Sequence, residues 1–394
     1  MFGSHSHKAH QRLVLLLLAT SLIACNKDKP VESSASTNSA EIKAPADKDV
    51  SSQGVAYVTS QDAGVSVIDL STMKVIKQFD LKAKGPRGLG VTDDGKKLIV
   101  ATRENGSISV IDTASGEVLQ QIEVGKNPEF VRIRGNFAYI SSEPSAIGGP
   151  PPKSGVKLAQ KPAEKTNQKT AEEKDDDDEE KIPARIAVVD LTLGKKVREI
   201  IGGPETEGIE FSADGSNLVI TNEADNTVTV HNIEDGKLVK TISTHEYGDR
   251  PRGIKISPDG ETYLATLEYG NKFIVLDRGF NFVRTVETGE TPYGISYDAT
   301  GNNIIVANNK SKTLEMFDAK SFVKLKEAAT GNRCWHFSYT PNNKQILLAC
   351  GKSDAIMVFD AQTLAPVQSI EVKNLPWGIV TYPKAMGSLD QAKK

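Results

Sequence analysis

PRGLGVTDDGKKLIVATRENGSISVIDTASGEVLQQIEVG, residues Pro86 to Gly125, holds four short runs rich in β-branched residues, separated by three turn sequences. Pro86-Arg87-Gly88 opens the first run, and Asp93-Asp94-Gly95 turns it into Leu98 to Thr102. Asn105-Gly106 then leads to the alternating SISVID of Ser107 to Asp112, and Ser115-Gly116 leads to Val118 to Val124. Each turn uses residues that tolerate positive φ, and each run alternates apolar with polar positions. The stretch therefore predicts a four-stranded antiparallel meander.

The same order recurs outward in both directions at roughly 42 residues per unit, starting near Pro128, near Thr206, and at Pro251, Pro292, Cys334 and Pro376. The first such segment, Val55 to Leu81 (VAYVTSQDAGVSVIDLSTMKVIKQFDL), supplies second, third and fourth strands but no opening strand. Trp377 to Tyr382 (WGIVTY) is an opening strand with nothing after it. The two ends complete one unit between them, which predicts an all-β chain folded as a single seven-bladed β-propeller over residues 55–382. Such closure leaves only short sheet edges.

Outside the repeats, residues 1–24 read as a lipoprotein signal peptide. Lys8 and Arg12 precede the apolar run Leu13 to Leu18, which is too short to span a bilayer and has the length of a secretory core. Leu22-Ile23-Ala24-Cys25 resembles the bacterial lipobox, which implies that Cys25 is the lipidated first residue of the mature chain; an ordinary signal peptide with an incidental cysteine is the plain alternative. Asn26 in place of Asp points to the outer membrane, facing the periplasm. Residues 25–54 carry almost no large apolar side chains and read as a disordered tether. Residues 145–183, with Gly148 to Pro152 and the acidic run Asp175 to Glu180, read as a disordered insertion within one blade, and residues 383–394 as a C-terminal tail.

With 38% hydrophobic residues and a formal charge of −3 over 394 residues, the composition is that of a folded globular protein, and its bulk charge argues against a nucleic-acid partner. The segments AYVTS (Ala56 to Ser60), VITNEADNTVTVHN (Val219 to Asn232) and IVANNKSKTLEMFD (Ile305 to Asp318) resemble the YVTN-type propeller repeat of exported bacterial and archaeal proteins. The resemblance extends from Val55 to Tyr382 and implies architecture more than activity. The d-type haem propeller of cytochrome nitrite reductases is a distant architectural cousin, but no Cys-x-x-Cys-His haem attachment sequence occurs here.

In this strand order the opening strand is innermost, so the residue after each opening Pro, or its equivalent, should ring one mouth of the central channel. Arg87, Glu129, Glu207, Arg252, Tyr293, Trp335 and Trp377 occupy that position, and both tryptophans of the chain are among them. Aromatics beside charges in a concavity suit a planar or sugar-like ligand; the plain alternative is that they pair and fill the funnel. The loop after the second strand adds Glu104, Glu143, Glu223 and Glu268 on one side, and Lys310 and Lys352 on the other. Of the histidines, His231 and His245 fall on a third strand and a loop, while His336 replaces the repeat glycine beside Trp335 and can reach the channel. Cys334 and Cys350 sit nearly opposite across the Pro341-Asn342-Asn343 turn, either bridged or as two buried thiols.

No nucleophile elbow, zinc-binding helix, phosphate loop or metal-ligand cluster is present in the sequence, so neither cofactor nor metal is expected and no catalytic residue is assigned. The expected function is that of a monomeric envelope lipoprotein binding a small ligand or another envelope protein at the channel mouth. The alternative is an enzyme or cofactor carrier, a lactonase-like hydrolase or haem-handling propeller, with Arg87, Glu129, Glu207 and His336 as its polar centre.

Overall fold

The computed structural model describes residues 53–144 and 182–391. The lipobox and the bulk of the tether and of the insertion lie outside the described residues. Seven four-stranded antiparallel sheets form the blades. We number as blade 1 the sheet ordered Pro376–Tyr382, Val55–Ser60, Val65–Asp69, Lys74–Phe79, in which the late strand supplies what the early segment lacks. Blades 2 to 7 open with Pro86–Val91, Pro128–Arg134, Thr206–Phe211, Pro251–Ile256, Pro292–Tyr297 and Cys334–Tyr339. Each opening strand packs on the opening strands of its two neighbours, and blade 7 packs on blade 1 to close the ring.

The burial of each strand follows its radial place. Second strands such as Lys97–Thr102 and Gln345–Cys350 are buried almost throughout and read as continuous apolar runs, because both faces are covered by other blades. Ile99, Ala101 and Ile108 of blade 2 thus share a core with Val131, Ala138 and Ile140 of blade 3. Fourth strands such as Val118–Glu123 are mostly exposed and close the rim. The tight turns use the left-handed region as expected, with Gly95, Gly106 and Gly116 at φ 72°, 63° and 80°.

A hydroxyl on the second strand stitches blade to blade. The backbone N–H of Gly253 donates to Thr266 Oγ1 (2.9 Å), and Thr266 Oγ1 donates onward to the Tyr293 carbonyl of the next blade (2.9 Å). Thr221 links Gly208 to the Arg252 carbonyl, and Thr59 links Gly378 to the Arg87 carbonyl, in the same way.

The segment after the last strand, set apart in the sequence as a tail, packs inside the ring as far as it is described. Tyr339 N–H donates to Met386 O (2.8 Å), Arg132 Nη1 to Leu389 O (2.7 Å) and Lys255 Nζ to Asp390 O (2.8 Å). These donors come from the opening strands of blades 7, 3 and 5, so the segment crosses the channel beyond the mouth. Ala385, Met386, Ser388 and Leu389 are buried there.

Candidate functional site

Three local features aim the ring side chains. The residue just before every opening strand is left-handed: Gly85, Asn127, Glu205, Arg250, Thr291, Arg333 and Leu375 have φ between 52° and 64°. In every blade the register between opening and second strands then shifts by one, as between Pro86↔Thr102 and Leu89↔Val100. The ring residue sits inside this bulge, a device that re-aims a side chain out of the regular pleat. The glycine that follows is required by close approach, since a Cβ on Gly88, Gly208, Gly253 or Gly294 would lie 2.4–2.6 Å from the carbonyl oxygen of the next blade's ring residue. Blades 3 and 7 replace that glycine by Phe130 and His336, whose rings meet edge to face at 5.7 Å.

All seven ring residues line one cavity of about 470 Å³. The sequence reading missed a second tier, formed by the left-handed residues Glu205, Arg250, Thr291, Arg333 and Leu375. The only signal for it was position, one residue before each opening strand. From the loops after the second strands, Glu143, Glu223, Glu268, Lys310 and Lys352 line the cavity as expected, but Glu104 does not. Glu104 is exposed on the outer side of a short 3-10 turn, and its neighbour Arg103 turns inward instead.

The carboxylates gather on blades 3, 4 and 5 and are held by arginines. Arg252 is the hub: Nη1 donates to Glu207 and lies 2.6 Å from Glu223, Nε donates to Glu268 (2.7 Å), and the guanidinium lies 4.9 Å above the Tyr293 ring. Arg250 pairs with Glu223 and Glu268. Arg103 bridges Glu129 (2.9 Å) and, more loosely, Glu143 (3.9 Å), while Arg87 lies 3.4 Å from Glu129.

These pairings set the titration of the acids. Burial pushes Glu207 up, but Arg252 and Arg87 outweigh it and hold the carboxyl below its ordinary value. Glu143 goes the other way: burial and then the charges of Glu129 and Glu207 raise it well above the ordinary value, against the pull of Arg103. Its Oε1 is buried and has no hydrogen-bond partner among the described residues.

The opposite sector, blades 6 and 7, is cationic and aromatic. Arg333 lies 5.2 Å above the Trp335 ring, and neither Arg333 nor Lys352 has a carboxylate partner among the described residues. Trp377 is only 1% exposed, wedged between Arg87 (5.4 Å) and His336 (4.4 Å), so this ring position is largely packing. Cys334 and Cys350, cross-strand partners directly behind Arg333 and Trp335, are joined by a disulfide.

His336 lies below the ring and does not line the cavity. Its Nδ1 is 3.0 Å from Ser388 Oγ of the C-terminal segment, and burial pushes its pKa down to about 3, so the imidazole is neutral. His231 is buried beside Thr229, and the exposed His245 pairs with Asp249 (2.8 Å). Among the described residues no group of three or more His, Cys, Asp or Glu side chains is placed to hold a metal ion.

Residues 36–136 match the YNCE-like beta-propeller family, and residues 192–279 match the lactonase, 7-bladed beta-propeller family. Both are propeller families. No curated protein matches the sequence. Among solved structures, a functionally unknown protein from Desulfotomaculum acetoxidans is similar at 16% identity and TM-score 0.66, covering 83% of this chain and 98% of its own. The periplasmic gluconolactonase of Pseudomonas aeruginosa is similar at 15% identity and TM-score 0.64, with the same coverage. The hydrazine synthase of Kuenenia stuttgartiensis follows at 18% identity and TM-score 0.59, covering 76% of this chain and 90% of its own. At these identities the likeness is one of fold.

Proposed function

We propose that this chain is an envelope lipoprotein, anchored through Cys25, whose propeller binds a small polar ligand in the cavity at the channel mouth. The observation that carries the reading is the wall of that cavity. A buried carboxyl with an unpartnered oxygen, Glu143, shares it with two cations lacking carboxylate partners, Arg333 and Lys352, and with the edges of Trp335 and Tyr293. The volume of about 470 Å³ is in the range of small-molecule sites. A ring built for structure alone has no need of partnerless cations beside an aromatic floor.

The test is a thermal-shift screen of small metabolites against the full-length protein, with hits repeated on Arg333→Ala and Trp335→Ala. Arg333 is exposed, so its loss should cost the fold under about 0.5 kcal/mol while weakening a true mouth ligand several-fold. Hits that bind both variants as tightly as the parent would remove the mouth from the reading.

A second reading, a lactonase-like hydrolase, is favoured by the family match over residues 192–279 and by the fold of the gluconolactonase. It predicts ring opening of a sugar lactone that is lost in Glu129→Gln and Glu207→Gln. Lactone turnover equal to the uncatalysed rate excludes it.

A further inference from the structure

The mouth carries its charge in two separated sectors. On one side Glu129 and Glu143 stand in blade 3, and the arginines reaching blades 3 to 5 are fewer than the carboxylates lining the cavity there. On the other side Arg333 and Lys352 of blade 7 are exposed and have no carboxylate partner among the described residues. In a ring of seven blades, blade 3 is three steps from blade 7 one way and four the other, so the two sectors face each other across the cavity.

An acidic cluster alone says little, because arginines normally satisfy it. Here the satisfaction is incomplete at one place. Glu143 is 5% exposed, Arg103 reaches it only at 3.9 Å, and Oε1 has no hydrogen-bond partner among the described residues. A buried carboxyl oxygen left without a donor is costly, and a ligand donor would relieve it. Across the mouth, Arg333, stacked on Trp335, and the nearby Lys352 lack carboxylate partners among the described residues and want an anion. A wholly anionic ligand meets the carboxylate wall, and a wholly cationic one meets Arg333 and Lys352. A neutral ligand leaves both sectors unsatisfied.

Resting on the ligand-binding reading above, we propose that the cavity takes a small zwitterion of dipeptide size, its ammonium group against Glu143 and its carboxylate against Arg333 and Lys352, with an apolar side chain on Trp335. Glu143, protonated in the free protein, releases its proton to solvent as the ammonium arrives and pairs with it as a carboxylate, a pairing the Gln variant cannot make; the ligand's carboxylate accepts from the guanidinium and the lysine. Specificity then comes from the separation of the two charges, which stand on blades facing each other across the ring.

The experiment is a calorimetric titration of the full-length protein with the dipeptide Gly-Tyr, its N-acetyl form and its C-terminal amide, beside a neutral disaccharide and a dicarboxylate. Gly-Tyr should bind, and each blocked form should bind at least about tenfold more weakly. Glu143→Gln should weaken the free dipeptide and the amide but leave the N-acetyl form unchanged. Arg333→Ala with Lys352→Ala should weaken the free dipeptide and the N-acetyl form but not the amide. The second pair is exposed, so it keeps the test alive if Glu143→Gln folds poorly.

Equal affinity for free and blocked dipeptides overturns the proposal, as does binding indifferent to both sets of substitutions. If instead the disaccharide or the dicarboxylate binds, Trp335→Ala weakens it and the dipeptide does not bind, the mouth is a ligand site but not for a zwitterion. Binding by none of the probes removes the proposal, and failure of the wider metabolite screen as well removes the ligand-binding reading beneath it.

Discussion

Glu143 and Glu207 face one cavity and titrate in opposite directions, which shows how little residue type alone says about a buried acid. Glu207 lies under Arg252, while Glu143 is buried beside two other carboxylates, with Arg103 at 3.9 Å and Arg252 farther off. Because the folded value of Glu143 is raised, the folded state keeps a proton that the unfolded chain releases, and stability falls as pH rises from the ordinary carboxylate value through the folded one. Glu143→Gln removes this contribution. Denaturation followed from pH 5 to 8 should show a flatter decline for the variant, and at pH 8 it should melt at or above the parent. Glu129, also raised by burial against Arg87 and Arg103, keeps the profile from becoming level. A variant profile parallel to the parent's would mean that Glu143 is ionised throughout. From the sequence, Glu143 was legible as a mouth residue through its repeat position. Its protonation was not, because that depends on which arginines reach it from blade 2, and the adjacent Arg103 and Glu104 could not be told apart by position alone.

At the scale of elements, the opening strands were readable down to their first residues because an apolar run recurs in each blade and in most of them a Pro opens it and a Gly follows two residues on. The bulge and the left-handed residue before it were not, since Glu205, Arg250, Thr291, Arg333 and Leu375 share no side-chain chemistry that announces positive φ. The C-terminal segment was missed for a related reason: Ala385, Met386 and Leu389 are too few and too irregularly spaced to signal burial. The structure nevertheless gives Arg132 and Lys255 their carbonyl partners there, and burial pushes Lys255 down to about 7. Ending the chain after Pro383 should therefore lower stability by at least about 3 kcal/mol, from the lost burial of Met386 and Leu389 and the carbonyl acceptors taken from Arg132 and Lys255, which keep only Glu210. Removing residues 392–394 is the control. Urea denaturation that fails to separate the two truncations would show that the segment adds nothing to the fold.

For the whole molecule, the proposed address is tested at one residue. Cys25→Ser should move the protein from the membrane fraction to the soluble periplasmic fraction while leaving its melting temperature unchanged, and continued sedimentation with membranes would overturn the anchor. Among the described residues no helix is long and apolar enough to cross a membrane. The number of blades, their strand order and the closure of the ring by Pro376–Tyr382 were all present in the sequence. Repeats carry architecture locally, in turn residues and alternation, and the count of units leaves only one way to complete the broken blade. The polarity of the mouth belongs to the tertiary structure. It arises from residues of different blades meeting across the channel, so that Trp377 becomes packing, His336 is withdrawn onto Ser388, and Arg333, unremarkable in the chain, stands over Trp335 opposite Glu143. Pairing energies between groups hundreds of residues apart leave no local pattern to read, because each depends on the burial and the neighbours that only the closed ring supplies.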